Sequence, residues 1–112
     1  MKKYLDKEQI ETLIDLDVLP NDDFIRMNPH LVDGMTLLEK LPERINPYGY
    51  KEYSRIIKNI GYLKRWTISY ESSKYFPEDN DTLLFGIEDT EFIDVIFRVI
   101  TVLTNDYHYD LK

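Results

Sequence analysis

Thr90-Glu91-Phe92-Ile93-Asp94-Val95-Ile96-Phe97-Arg98-Val99-Ile100-Thr101-Val102-Leu103-Thr104-Asn105 decides the fold. Its polar residues Glu91, Asp94, Arg98, Thr101 and Asn105 recur at helical spacing, which gathers them into one narrow stripe. The other positions from Phe92 to Leu103 are apolar. So wide an apolar face predicts a helix laid across a sheet with other elements around it. The alternative is that a second copy covers part of the face, which would make the protein a homodimer. Asp89 or Thr90 stands where a cap is needed, and Asp94 with Arg98 has the spacing of an ion pair along a helix.

Upstream, the period changes. Trp66, Ile68 and Tyr70 alternate with Arg65, Thr67, Ser69 and Glu71, which predicts a strand with one apolar face. Thr82 to Ile87 is short, apolar and bounded by turn formers, and predicts another strand. Tyr50, Tyr53, Ile56, Ile57 and Ile60 fit either period, but Gly61 behind them makes a hairpin the better reading. Ser72 to Asp81 reads as a polar loop.

Near the N-terminus, Asp6 and Gln9 have capping-box spacing and open a helix from Lys7 to Leu16. Ile10, Leu13 and Ile14 share its inner face. Residues 20–35 are rich in turn formers and read as irregular, although Phe24, Ile25, Met27, Leu31 and Val32 must pack somewhere. Thr36 and Glu39 signal a short helix from Thr36 to Leu41, stopped by Pro42. The expected fold class is α+β: a small antiparallel sheet of about three strands, with N-terminal helices and the long apolar C-terminal helix packed on one face. Residues 1–112 are expected to form a single domain.

The net charge of −7 is unevenly spread. Residues 1–34 carry eight acids against four bases, residues 35–67 seven bases against three acids, and residues 68–112 ten acids against three bases. An acidic chain is a poor general ligand for nucleic acid, because phosphate neutralisation supplies that affinity. It suits a protein partner with a basic surface. The absence of cysteine excludes disulfides, thiolate catalysis and cysteine-based zinc sites, and fits a cytoplasmic setting. No apolar run follows the basic N-terminal residues, so no signal peptide is expected, and no stretch reads as a membrane span.

Catalytic and metal motifs are missing from the sequence. His30 sits in a turn-rich segment without a neighbouring nucleophile. Asp106, His108 and Asp110 alternate and would meet on one side of a strand, but a frayed tail is the expected state. Glu78-Asp79-Asn80-Asp81 lacks the glycine and distal glutamate of a calcium loop. Asp15, Asp17, Asp22 and Asp23 could pair as acid and base but have no aromatic platform beside them. No cofactor is expected, and the sequence reads as non-enzymatic.

The middle third interleaves Tyr48, Tyr50, Tyr53, Tyr62, Trp66 and Tyr70 with Lys51, Arg55, Lys58, Lys64 and Arg65. Such mixtures form protein-interface hot spots or stack single-stranded bases, or else Trp66, Ile68 and Tyr70 face the core with the basic residues in water, and the other tyrosines fit core or interface equally. The second use requires the five basic residues to share one face.

Leu37-Leu38-Glu39-Lys40-Leu41-Pro42-Glu43-Arg44-Ile45, with the closing Leu83-Leu84-Phe85-Gly86-Ile87 and Phe92 to Ile100, resembles small proteins carried by phages and mobile elements of gut bacteria. Asn105-Asp106-Tyr107 keeps the Asn-x-Tyr ending of their final helix, although the helix here lacks their tryptophan. The resemblance implies a setting and carries no catalytic residues, because most such proteins have no assigned activity. Phage and mobile-element products often bind and block host machinery. The sequence thus points to a small acidic macromolecule-binding protein, an inhibitor of a host defence or toxin protein. The alternative is a self-assembling accessory subunit that uses the C-terminal helix. The candidate partner-binding residues are Asp79, Asp81, Glu88, Asp89 and Glu91, with Tyr48, Tyr50 and Tyr53.

Overall fold

A computed structural model describes residues 2–72 and 82–112. Helix α1 (Lys7–Asp15) is followed by α2 (Asp23–Met27), a 3-10 turn at Pro29–Leu31 and α3 (Gly34–Glu39). Strands β1 (Arg44–Ile45), β2 (Tyr53–Ile60), β3 (Arg65–Glu71) and β4 (Leu83–Asp89) come next, and α4 (Phe92–Asn105) closes the order. The four strands form one antiparallel sheet in sequence order, one more than expected, because the two-residue β1 adds an edge. The Ser72–Asp81 loop falls largely outside the described residues.

Register explains which side of the sheet is dry. Arg55, Tyr70 and Phe85 are cross-strand partners, as are Ile57, Ile68 and Ile87. Directly opposed residues point to the same face, so these rows form one surface, and α4 lies on it. Ile68 and Tyr70 are completely buried there, while Trp66 is half-buried with its ring 4.5 Å from that of Phe92. The opposite rows bear Lys58, Thr67 and Glu88, then Ile56, Ser69 and Gly86, and no described helix covers them.

Helix α4 takes up its apolar surface within the fold. Ile93, Val95, Ile96, Val99, Ile100 and Leu103 are buried, and Phe92 and Phe97 pack against the same cluster. The sheet lies on one side, and Leu37 of α3 with Ile10, Leu13 and Ile14 of α1 complete the core. The polar stripe of α4 is used differently from expectation. Asp94 accepts from Lys2 Nζ and Gln9 Nε2, both at 2.8 Å, and Arg98 instead lies 3.9 Å from Asp89. Pairing Asp94 with Lys2 ties the N-terminal segment to the helix, a long-range use that local spacing does not encode.

Capping signals place the starts of α1 and α3, whereas α4 begins after Glu91 without the side-chain cap expected of Asp89 or Thr90. Asp6 and Gln9 form the expected capping box of α1. Helix α3 begins earlier than expected, because Asp33 rather than Thr36 is the cap and accepts from the Thr36 N–H at 2.9 Å. Its last carbonyls are met by Arg55, whose Nη1 donates to Leu41 O at 3.0 Å and to Leu38 O at 3.4 Å. The C-terminal tail is not frayed. Tyr109 N–H donates to Leu103 O, the Tyr109 hydroxyl accepts from Asn46 N–H at 3.0 Å, and Leu111 is buried.

Removing side-chain volume under α4 should therefore be costly. Leu103→Ala or Ile96→Ala is expected to lower unfolding free energy by about 2–5 kcal/mol in urea titrations. Truncating exposed Met27 to Ala should stay within about 0.5 kcal/mol of the parent.

Candidate protein-docking surface

Residues 20–35 are more ordered than their turn-rich composition predicts, and less buried than their apolar content predicts. Asp22 starts α2 by accepting from the Phe24 N–H at 2.9 Å. Asn28 Nδ2 donates to Phe24 O at the other end, and Pro29 occupies the first turn of the 3-10 segment. Arg26 holds the helix to α1, with Nε 2.5 Å from Glu11 Oε1 and Nη1 3.0 Å from Asp23 Oδ1. The hydrogen bond to Glu11, against the opposing effect of burial, raises the pKa of this guanidinium.

That local wiring fixes which apolar residues turn inward. Val32 is buried and Ile25 packs against the core. Phe24, Met27 and Leu31 do not join them: they are 63%, 80% and 46% exposed, and Met35 is 66% exposed. A five-residue helix has room for one inward stripe, and Ile25 takes it. Scattered exposed apolar residues are ordinary, but several large ones within one segment mark interaction surfaces. Asp22, Asp23 and Asp33 are exposed along the same segment, whose one arginine is paired with Glu11 and Asp23.

Beside this surface lies a groove of about 370 Å³. Gly34, Met35, Phe92 and Ile93 line it, with Tyr4 and His30 as an aromatic wall. These two rings meet edge to face, 6.4 Å apart. The wall is anchored through the backbone, since Tyr4 pairs with Asp33 in an isolated antiparallel bridge and Leu5 is buried. Lys2 secures it further, its N–H donating to Glu91 at 2.7 Å and its ammonium bonding Asp94 and Gln9. Partial burial disfavours that ammonium, but Asp94 by hydrogen bond and charge, with Asp6, keeps its pKa above the ordinary lysine value.

The residues singled out from sequence do not assemble into one face. Asp79 and Asp81 lie outside the described residues. Glu88 is on the uncovered side of the sheet, 4.0 Å from Arg65. Asp89 belongs to the opposite face and shapes the turn into α4, accepting from the N–H groups of Thr90 at 2.6 Å and Glu91 at 3.4 Å. Glu91 is engaged by Lys2. Tyr48 and Tyr50 stack at 6.1 Å, and Tyr50 is 82% exposed. Tyr53 is buried at 5% exposure, because its position opposite Ile45 turns the ring inward, so it cannot meet a partner with Tyr50.

The five basic residues of the middle third are divided as well. Lys58 and Arg65 stand on the uncovered face, Arg55 faces the helices, Lys64 sits in the β2–β3 turn and Lys51 precedes β2. Asp106, His108 and Asp110 do not converge, since His108 adopts a left-handed backbone (φ 58°) that breaks the alternation. No group of three or more metal-ligating side chains occurs among the described residues, and no described helix is long and apolar enough to cross a membrane. Comparison with protein-family models, with curated proteins and with solved structures finds no match.

The turn acids carry a pH dependence. Burial would raise the Asp89 pKa, but hydrogen bonds from Glu91 and Thr90, with Arg98 nearby, hold it below the usual carboxylate range. A depressed pKa contributes stability that is present above the unfolded value near pH 4 and is lost as pH falls through the folded value. Asp89→Asn, which keeps an acceptor for the turn, should therefore lose less stability between about pH 5 and pH 2 than the parent in urea titrations.

Proposed function

We propose that this chain works by binding a protein partner with a basic surface, through the acidic, apolar-studded segment from Asp22 to Met35. The observation that carries the reading is the exposure of Phe24, Met27, Leu31 and Met35 beside acids with no free cation among them. Apolar side chains supply the area that drives association, and the surrounding carboxylates steer a basic partner and reject acidic ones. The same charge opposes face-to-face association of two copies, so the segment suits a different protein better than itself.

A compact acidic domain that covers a basic functional site inhibits its target. The resemblance to phage and mobile-element products supports this inhibitor role, with a host defence or toxin protein as the target class. The stacked Tyr48 and Tyr50 are a secondary contact in this reading, since tyrosines add rigid apolar area at low entropic cost.

The test compares capture from host lysate by the parent and by Phe24→Ser/Met27→Ser at low and moderate salt, followed by affinity measurement on the purified partner. The expected outcome is one basic protein, held more weakly as salt rises, with at least about tenfold lower affinity for the variant. Unfolding free energy of the variant should change by less than about 1 kcal/mol, because neither side chain is buried. A partner bound equally by parent and variant would place the interface elsewhere and end this assignment.

A further inference from the structure

The sheet order ends on β4, and among the described residues nothing pairs with the far side of that strand. The two edges of the sheet are finished differently. At one, β1 is only two residues long, the next N–H, of Asn46, is taken by the Tyr109 hydroxyl, and Pro47 follows. Short length and proline are ordinary protections of an edge. At the other, β4 holds neither proline nor lysine between Leu83 and Asp89. Its half-used backbone is a template for one more strand.

The dry layer is also unfinished at β4. One strand inward, Ile68 and Tyr70 are completely buried. Their cross-strand partners Ile87 and Phe85 face α4 in the same rows, yet both remain half-buried. A strand laid against β4 would extend those rows and cover the remaining apolar surface.

Charge and symmetry choose the occupant. The chain carries a net charge of −7, but Glu88 lies 4.0 Å from Arg65 and Asp89 lies 3.9 Å from Arg98. The edge is therefore locally neutral, and a second acidic copy can approach it without net repulsion. Antiparallel pairing of β4 with itself, centred on Gly86, sets Phe85 opposite Ile87, Leu84 opposite Glu88 and Leu83 opposite Asp89. Apolar residues then meet on the dry face, and no acid of β4 meets another.

We propose that a second copy of this chain supplies the missing strand. The two β4 strands pair about a two-fold axis at Gly86, which doubles the four-stranded sheet and keeps both α4 helices on one side of it. With β1 blunted, pairing joins like edge to like edge, so it closes at two copies instead of growing into a filament. No residue of the Asp22–Met35 segment belongs to this pairing, so the inference stands apart from the partner-binding reading.

Gly86 allows a test that spares the monomer. A Cβ there would meet Ser69 Cβ at 3.5 Å and Leu83 Cδ1 at 4.0 Å, both ordinary contacts, so Gly86→Lys and Gly86→Glu fit the fold. At the two-fold axis, either substitution sets like charges side by side. In sedimentation equilibrium the parent should form a dimer as concentration rises, and each variant should dissociate at least about tenfold more readily. An equimolar mixture of the two variants should recover the affinity of the parent, which a folding defect would not do. Amide exchange along β4 should slow in the parent as concentration rises. Phe24→Ser/Met27→Ser should dimerise as the parent does, and loss of the dimer in that variant would move the interface to α2 and overturn the proposal. A parent that stays monomeric to millimolar concentration would also overturn it. So would a dimer indifferent to Gly86→Lys, or assembly that continues past two copies.

Discussion

Burial of α4 is the constraint on which the rest depends. A chain of this size has little area to spare, so one helix must supply a large share of the core. Its apolar width can be satisfied only by neighbours on several sides. The sheet covers one side, through Ile68, Tyr70 and their cross-strand partners. The N-terminal helices cover another, through Leu37, Ile10 and Leu13. This arrangement dries one face of the sheet and leaves the other without a described helix over it. It also places the N-terminal segment beside α4, where the groove forms.

Long-range polar contacts then fix positions that packing alone would leave loose. Arg55 reaches the carbonyls at the end of α3, and the Tyr70 hydroxyl donates to Pro42 O at 2.7 Å. Burial pushes the Tyr70 hydroxyl well above the usual phenol range, so it remains a donor at any ordinary pH. Lys2 joins the N-terminal segment to the start of α4 through Glu91 and Asp94. Acids that look like a free negative patch in sequence are thereby committed to holding turns and termini.

Much of the architecture was legible because it rests on local periodicity. The polar stripe of α4, the alternation in β3 and the Asp6–Gln9 box each follow from spacing alone, and each is present. The candidate site was less legible. Phe24, Met27 and Leu31 are apolar residues without a clear period, and nothing local says that α2 and the 3-10 turn after it are too short to bury them. Tyr50 and Tyr53 are alike in sequence, yet one is in water and the other in the core, because only Tyr53 enters the register with β1. The partner of Asp94 lies at the other end of the chain, beyond the reach of spacing rules. An unpaired free surface can be read only once the residues that leave it have been placed.

The shortness of α2 has a consequence for how this protein can change. None of its residues is buried, so its surface composition is nearly decoupled from the stability of the fold. Substitutions at Phe24 or Met27 would pass a selection for folding that rejects most changes in α4. A lineage carrying this scaffold could therefore explore new partners at these positions without first acquiring spare stability, while the core stays fixed.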